Sequence, residues 1–103
     1  MLRFLNHYYH APCNTAWQDE WHCMCNDQCP TCGVKDIEPQ TSDDRLPEAI
    51  AVFLRDTPTP RTQITDDAAI AWLIIRLGWD AEELGPEYQR REVEAELAHQ
   101  LRS

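Results

Sequence analysis

The stretch Tyr8-Tyr9-His10-Ala11-Pro12-Cys13-Asn14-Thr15-Ala16-Trp17-Gln18-Asp19-Glu20-Trp21-His22-Cys23-Met24-Cys25-Asn26-Asp27-Gln28-Cys29-Pro30-Thr31-Cys32-Gly33 holds all five cysteines of a 103-residue chain. Two residues separate His10 from Cys13, two separate Cys29 from Cys32, and fifteen lie between the pairs. Close pairs of thiol and imidazole donors at this separation have the spacing of a tetrahedral zinc site.

Working outward, residues 2–9 alternate loosely and read as a strand leading into the first tight turn. There Pro12 restricts one dihedral, and Asn14 can take the left-handed conformation that a tight turn needs. Trp17, Trp21, Cys23 and Cys25 recur on one face of a period-two pattern, predicting a second strand whose face covers the metal or the core. Asp19 and Glu20 suit a turn or solvated bend between the tryptophans, and Asn26-Asp27 ends the strand. Gly33 lets the second turn close with amides facing the sulfurs. Val34-Lys35-Asp36-Ile37-Glu38-Pro39 alternates and predicts a last short strand.

The second turn, Cys29-Pro30-Thr31-Cys32-Gly33, resembles the knuckle of zinc ribbons and rubredoxin-like domains. The longer run Trp17-x-Asp19-x-Trp21-x-Cys23-x-Cys25-Asn26-Asp27-x-Cys29-Pro30-x-Cys32 resembles that of small bacterial and mobile-element zinc-ribbon proteins. The resemblance covers about the first forty residues and implies a fold and a bound Zn²⁺, not an activity. In that pattern both knuckles usually carry two cysteines, and His10 departs from it. Cys13, Cys29 and Cys32 belong to every sensible ligand set. The fourth place goes to His10 by spacing, with Cys25 as the alternative and Cys23, His22 and His7 behind it. Cysteines outside the set are expected to behave as small buried hydrophobes.

Other chemistries fit less well. Iron in a rubredoxin-type site requires Cys25 in place of His10. A redox dithiol at Cys29-x-x-Cys32 wants a helix starting at the motif, and residues 33–39 are poor helix formers. A catalytic zinc needs an open position and a general base, and neither His-x-Glu nor His-Glu-x-x-His occurs. Catalytic residues are therefore not assigned, and the chain reads as non-enzymatic.

The polar run Gln40-Thr41-Ser42-Asp43-Asp44 has turn composition and places a boundary near residue 41, giving a zinc ribbon over 1–41 and an acidic helical part over 42–103. Pro47 and Glu48 suit a helix start, and Leu46, Ile50, Phe53 and Leu54 form its buried stripe. The prolines of 57–60 make residues 56–64 a connector. Thr65-Asp66-Asp67 caps the next helix, whose Ile70, Trp72, Leu73, Ile74, Ile75 and Leu77 cover nearly the whole circumference. Such a helix must be enclosed, or leave one side for a partner or a second copy of the chain. Gly78 ends it, residues 79–84 make a short acidic turn, and Pro86 starts a last helix reaching about Leu101. The expected fold is α+β: a three-stranded N-terminal zinc ribbon followed by a C-terminal part of three main helices.

A chain this short buries only about 60–65% of its unfolded surface, so a metal in its least apolar third has a thermodynamic role. Nine Lys and Arg stand against eighteen Asp and Glu, a formal charge of −9, and the acidic excess runs through both parts. That balance disfavours direct binding to nucleic acid and favours a protein partner with a basic surface. No run is long enough for a membrane span, the apolar opening is shorter than a signal-peptide core, and closely spaced cysteines in odd number suit metal in a reducing compartment. The expectation is a cytoplasmic protein without membrane partners.

The function these readings favour is a zinc-binding adaptor or regulator acting by protein–protein interaction, with homodimerisation as a further possibility. The alternative is an acidic phage-type inhibitor, anti-CRISPR-like, whose carboxylates stand in for phosphates in the nucleic-acid-binding groove of a host defence protein. Candidate partner-binding residues are Asp66, Asp67, Asp80, Glu82, Glu83, Trp17 and Trp21.

Overall fold

The computed structural model describes residues 1–85 and 87–102. The fold is α+β, divided into one compact unit of residues 2–44 and a second running from residue 45 and including Met1. Three strands, β1 (Phe4–His10), β2 (Thr15–Trp21) and β3 (Thr41–Asp44), make the first unit, and the helices α1 (Leu46–Asp56), α2 (Asp66–Leu77), α3 (Ala81–Leu84) and α4 (Glu87–Leu101) follow.

The sheet is antiparallel in the order β2-β1-β3. Phe4 lies opposite Trp21 and His10 opposite Thr15, while on the other side Phe4 faces Asp44 and His7 faces Thr41. Phe4, Asn6 and Tyr8 alternate along the central strand and are all buried, so they share its inner face. Tyr8 stacks on Trp17 with ring centroids 5.3 Å apart. Asn6 is fully buried and bonded at both ends of its side-chain amide: the NH₂ donates to the Cys23 carbonyl at 3.0 Å, and the oxygen accepts from Ser42 at 2.7 Å. A buried amide left without those partners would destabilise the sheet by about 1–3 kcal/mol.

The third strand is not the predicted one. Residues 34–39 form no strand; the Val34 carbonyl accepts from the Cys29 amide at 2.8 Å, and Asp27 and Ile37 form an isolated bridge, exchanging two backbone hydrogen bonds of 2.9 Å. Asp36 has φ +63°, which breaks an extended run. The polar segment expected to be a turn supplies β3 instead, and its cross-strand partners explain why. Arg3 is buried and makes two 3.0 Å bonds to the Asp44 carboxylate, and His7 pairs with Asp43 at 2.8 Å. Those contacts have no hydropathy period. The first compact unit accordingly includes β3 and ends at Asp44.

A second correction concerns β2. Asp19 and Glu20 lie within the strand, opposite Asn6 and Leu5, not in a turn. The strand stops at Trp21, so Cys23 and Cys25 do not continue its face. The Asn6 amide and the Tyr8 hydroxyl, which donates to the Cys25 carbonyl at 2.7 Å, hold the following segment to the sheet instead.

In the helical unit, α4 packs against α1, α2 and α3, and α1 against α2. Leu46, Ala49, Ile50 and Phe53 are buried from α1, Ala69, Ile70 and Leu73 from α2, and Val93 and Leu97 from α4. Leu54 is only half-buried. Phe53 and Trp72 meet with centroids 5.6 Å apart, and Arg90 reaches Asp67 at 2.7 Å. α2 is not enclosed all round: Ile75 is 78% exposed, so one side is left over. Gly78, with φ +72°, terminates α2, and the amides of Gly78 and Trp79 both close on the Leu73 carbonyl. The acidic segment after it includes a four-residue helix, α3, with Asp80 as its cap. Pro86, expected at the first position of the last helix, lies outside the described residues.

Thr65 caps α2 by accepting a hydrogen bond from the Ala68 amide at 3.2 Å. Thr65→Ala is expected to lower the stability of the helical unit by about 1 kcal/mol. A thermal melt followed by circular dichroism should register this as a fall of roughly 4–8 °C; an unchanged midpoint would mean the cap carries no stability.

Candidate metal centre

One end of the sheet and the loop before Val34 supply four donors. β1 delivers His10, and a single 3₁₀ turn, Ala11–Cys13, delivers Cys13 with Pro12 inside it. Asn14 takes the left-handed conformation, φ +48°, and its amide closes the turn on the Ala11 carbonyl at 3.0 Å. The Tyr9 hydroxyl donates to the Asn14 side chain at 2.8 Å and steadies it. In the second turn the Cys29 amide donates to Val34 at 2.8 Å and the Gly33 amide to Cys29 at 2.9 Å. Gly33 has φ +77°, a conformation a side chain would strain. The Thr15 hydroxyl lies 2.9 Å from that of Thr31 and 3.2 Å from the Cys13 carbonyl, linking the two turns.

His10, Cys13, Cys29 and Cys32 thereby converge, with one donor atom from each lying within 4.8 Å of the others. Cys32 Sγ is 3.4 Å from His10 Nδ1. Bonds of about 2.0–2.3 Å from a central ion to a tetrahedron of sulfur and nitrogen put the donors roughly 3.5–3.8 Å apart, so the group fits a metal ion with little movement. Cys29 is 1% exposed, Cys32 is exposed, and the other two are half-buried.

The hydrogen bond to Cys32, then burial, push the Cys13 thiol up to about 11. Burial works in the same direction on Cys29, but the amides of Cys32 and Thr31 outweigh it and bring that thiol down to about 7. A cation that binds thiolates must displace these protons, so the affinity of the site falls as pH is lowered through 7.

The two cysteines left out of this group are paired with each other. Cys23 and Cys25 stand with their sulfurs facing each other, and both are half-buried rather than enclosed as small hydrophobes. Cys25 is thus absent from the group of four, where His10 stands. His7 is occupied by Asp43 and by the Gln18 amide, 3.2 Å from its Nδ1, and His22 lies against Trp21 with centroids 5.0 Å apart.

The candidate partner residues differ in how far they are engaged within their own units. Trp17 is held by its stack on Tyr8 and donates to Asp27 at 2.9 Å, whereas Trp21 is 47% exposed. Asp66 and Asp67 occupy the first turn of α2, with Asp67 engaged by Arg90. Asp80 accepts from the Glu82 amide at 2.8 Å, Glu82 is exposed, and Glu83 is half-buried. Sequence reasoning missed Asn6, Thr15 and Thr31; an Asn at an inward strand position was the one available signal.

The fold and the site together define a small α+β protein in which a His at the end of a three-stranded sheet and three Cys on adjoining turns form a group able to hold a metal ion. Comparison with protein-family models, with curated proteins and with solved structures found no match. Among the described residues, no helix is long and apolar enough to cross a membrane.

Proposed function

We propose that the chain is a zinc-stapled adaptor: Zn²⁺ held by His10, Cys13, Cys29 and Cys32 fixes the ribbon-like N-terminal unit, and the protein acts by binding a partner with a basic surface. The observation that carries this reading is the convergence of four protein donors on one point. With all four tetrahedral positions filled by side chains, no place is left for a reactive water, and the metal serves structure rather than catalysis. Three thiolates and one neutral imidazole on a divalent cation leave the centre with one negative charge, adding to a chain already at −9. Such a surface steers basic partners.

Exposed Trp21 in the sheet unit and exposed Asp66 and Glu82 in the helical unit are the contacts offered. Asp80 is engaged in capping α3 and Asp67 pairs with Arg90, which leaves fewer of these carboxylates free to stand in for phosphates. This supports the adaptor over the groove-occupying inhibitor.

Two measurements test it. Metal analysis of the purified chain should find one zinc per chain, and cobalt substitution should give the spectrum of a tetrahedral S₃N site; a ratio far below one ends the zinc reading. Affinity capture comparing wild type with Asp66→Lys/Glu82→Lys and with Trp21→Ala should lose its bound protein in at least one variant. Unchanged capture in both would remove these residues from the interface.

A further inference from the structure

We propose that Cys23 and Cys25 are a reversible dithiol–disulfide site, able to exchange with a low-molecular-weight disulfide while the neighbouring metal donors stay out of the reaction. The proposal takes from the preceding reading that Cys13, Cys29 and Cys32 hold the metal.

Geometry favours the pair. Their Cα atoms are 5.3 Å apart, within the span a disulfide bridges. The chain is kept in that bend from outside: the buried Asn6 amide holds the Cys23 carbonyl at 3.0 Å, and the buried Tyr8 hydroxyl holds the Cys25 carbonyl at 2.7 Å. Both clamps come from β1 and grip backbone, so they persist whether the sulfurs are oxidised or reduced. The bent geometry is thus set before the bond forms, which raises the effective concentration of one thiol at the other.

Access is also provided. Both cysteines are half-exposed, and Cys25 lines a cavity of about 260 Å³ with Tyr8, Asp19, Trp21, Asn26 and Asp27. A small disulfide can enter there.

The chemistry balances with glutathione disulfide as the oxidant. The Cys25 thiol loses its proton and its sulfur attacks one glutathione sulfur; a mixed disulfide forms, the glutathione S–S bond breaks, and one glutathione leaves as a thiolate that takes up the proton. Cys23 then attacks Cys25 in the same manner, forming the Cys23–Cys25 bond and releasing the second glutathione. Two protein thiols are oxidised by two electrons and one glutathione disulfide becomes two glutathiones. Excess glutathione runs the sequence backwards.

The test uses the zinc-loaded full chain in glutathione buffers of increasing oxidised fraction, quenched with acid, alkylated and mapped by mass spectrometry, with zinc measured in parallel. The expected result is a Cys23–Cys25 disulfide that appears and disappears with the buffer, while zinc is retained and Cys13, Cys29 and Cys32 form no disulfide. Cys23→Ser and Cys25→Ser should each accumulate a single glutathione adduct on the remaining cysteine. The proposal is overturned if Cys23 and Cys25 remain reduced throughout, or if they oxidise only by pairing with Cys13, Cys29 or Cys32 as zinc is lost. A chain that takes up no zinc yet still links Cys23 to Cys25 would end the adaptor's metal reading and leave this site standing.

Discussion

Cys29→Ser is expected to cost the chain its zinc and to unfold residues 2–44 while leaving the helices folded. The sheet unit has little else to hold it: its nine-tenths-buried side chains are Arg3, Phe4, Asn6, Tyr8 and Cys29 among the described residues, and two of the five are polar or charged. Structural zinc contributes about 10–16 kcal/mol to the folding of small metal-stapled peptides, as much as the whole stability of a typical domain. Cys29 is the buried donor, and serine supplies neither the soft ligand nor the volume. Amide hydrogen exchange should show β1 and β2 losing protection in the variant, with α1, α2 and α4 retaining theirs. Chelation of the wild-type protein should do the same, and more readily at pH 6 than at pH 8 because thiol protons compete with the metal. Protected β1 amides in a zinc-free chain would show that the sheet stands without the staple.

Leu73→Ala is the corresponding experiment in the helical unit. Leu73 is fully buried, as are Ile50 and Ala49 of α1 and Val93 of α4, so the truncation opens a cavity where three helices pack. The cost is about 2–5 kcal/mol, and each kcal/mol lowers the melting temperature of a unit of this size by roughly 4–8 °C. Zinc content should not change. Ile75→Ala serves as the contrast: Ile75 is four-fifths exposed, and its removal should change stability by about 0.5 kcal/mol or less. A large loss at Ile75 would mean that this side of α2 is covered in solution.

The helices were legible from local signals. Pro47 and Glu48, the Thr65 cap, Gly78 after Leu77 and the apolar spacing of α1 each act within one or two turns of the chain, and each sits where those short-range rules put it. The α2 stripe misled only in degree, since continuous hydropathy cannot say which side meets a neighbour; packing buries Ala69, Ile70 and Leu73 and leaves Ile75 out. The sheet was less legible. β3 is Thr-Ser-Asp-Asp, held by Arg3, Asn6 and His7 from 36 to 41 residues away, and no local pattern encodes such partners.

The same division runs through the site. By itself the sequence determined that four donors stand in two pairs on two tight turns, because Pro12, Asn14 and Gly33 act on backbone angles next to them. It left Cys25 open beside His10. Only the tertiary structure separates their positions: β1 ends at His10 and brings it beside Cys13, Cys29 and Cys32 in a group that could hold a metal ion, while Asn6 and Tyr8 hold the carbonyls of Cys23 and Cys25, whose sulfurs face each other. Which donor reaches the centre depends on hydrogen bonds between strands distant in the chain, and spacing along the chain carries no record of them.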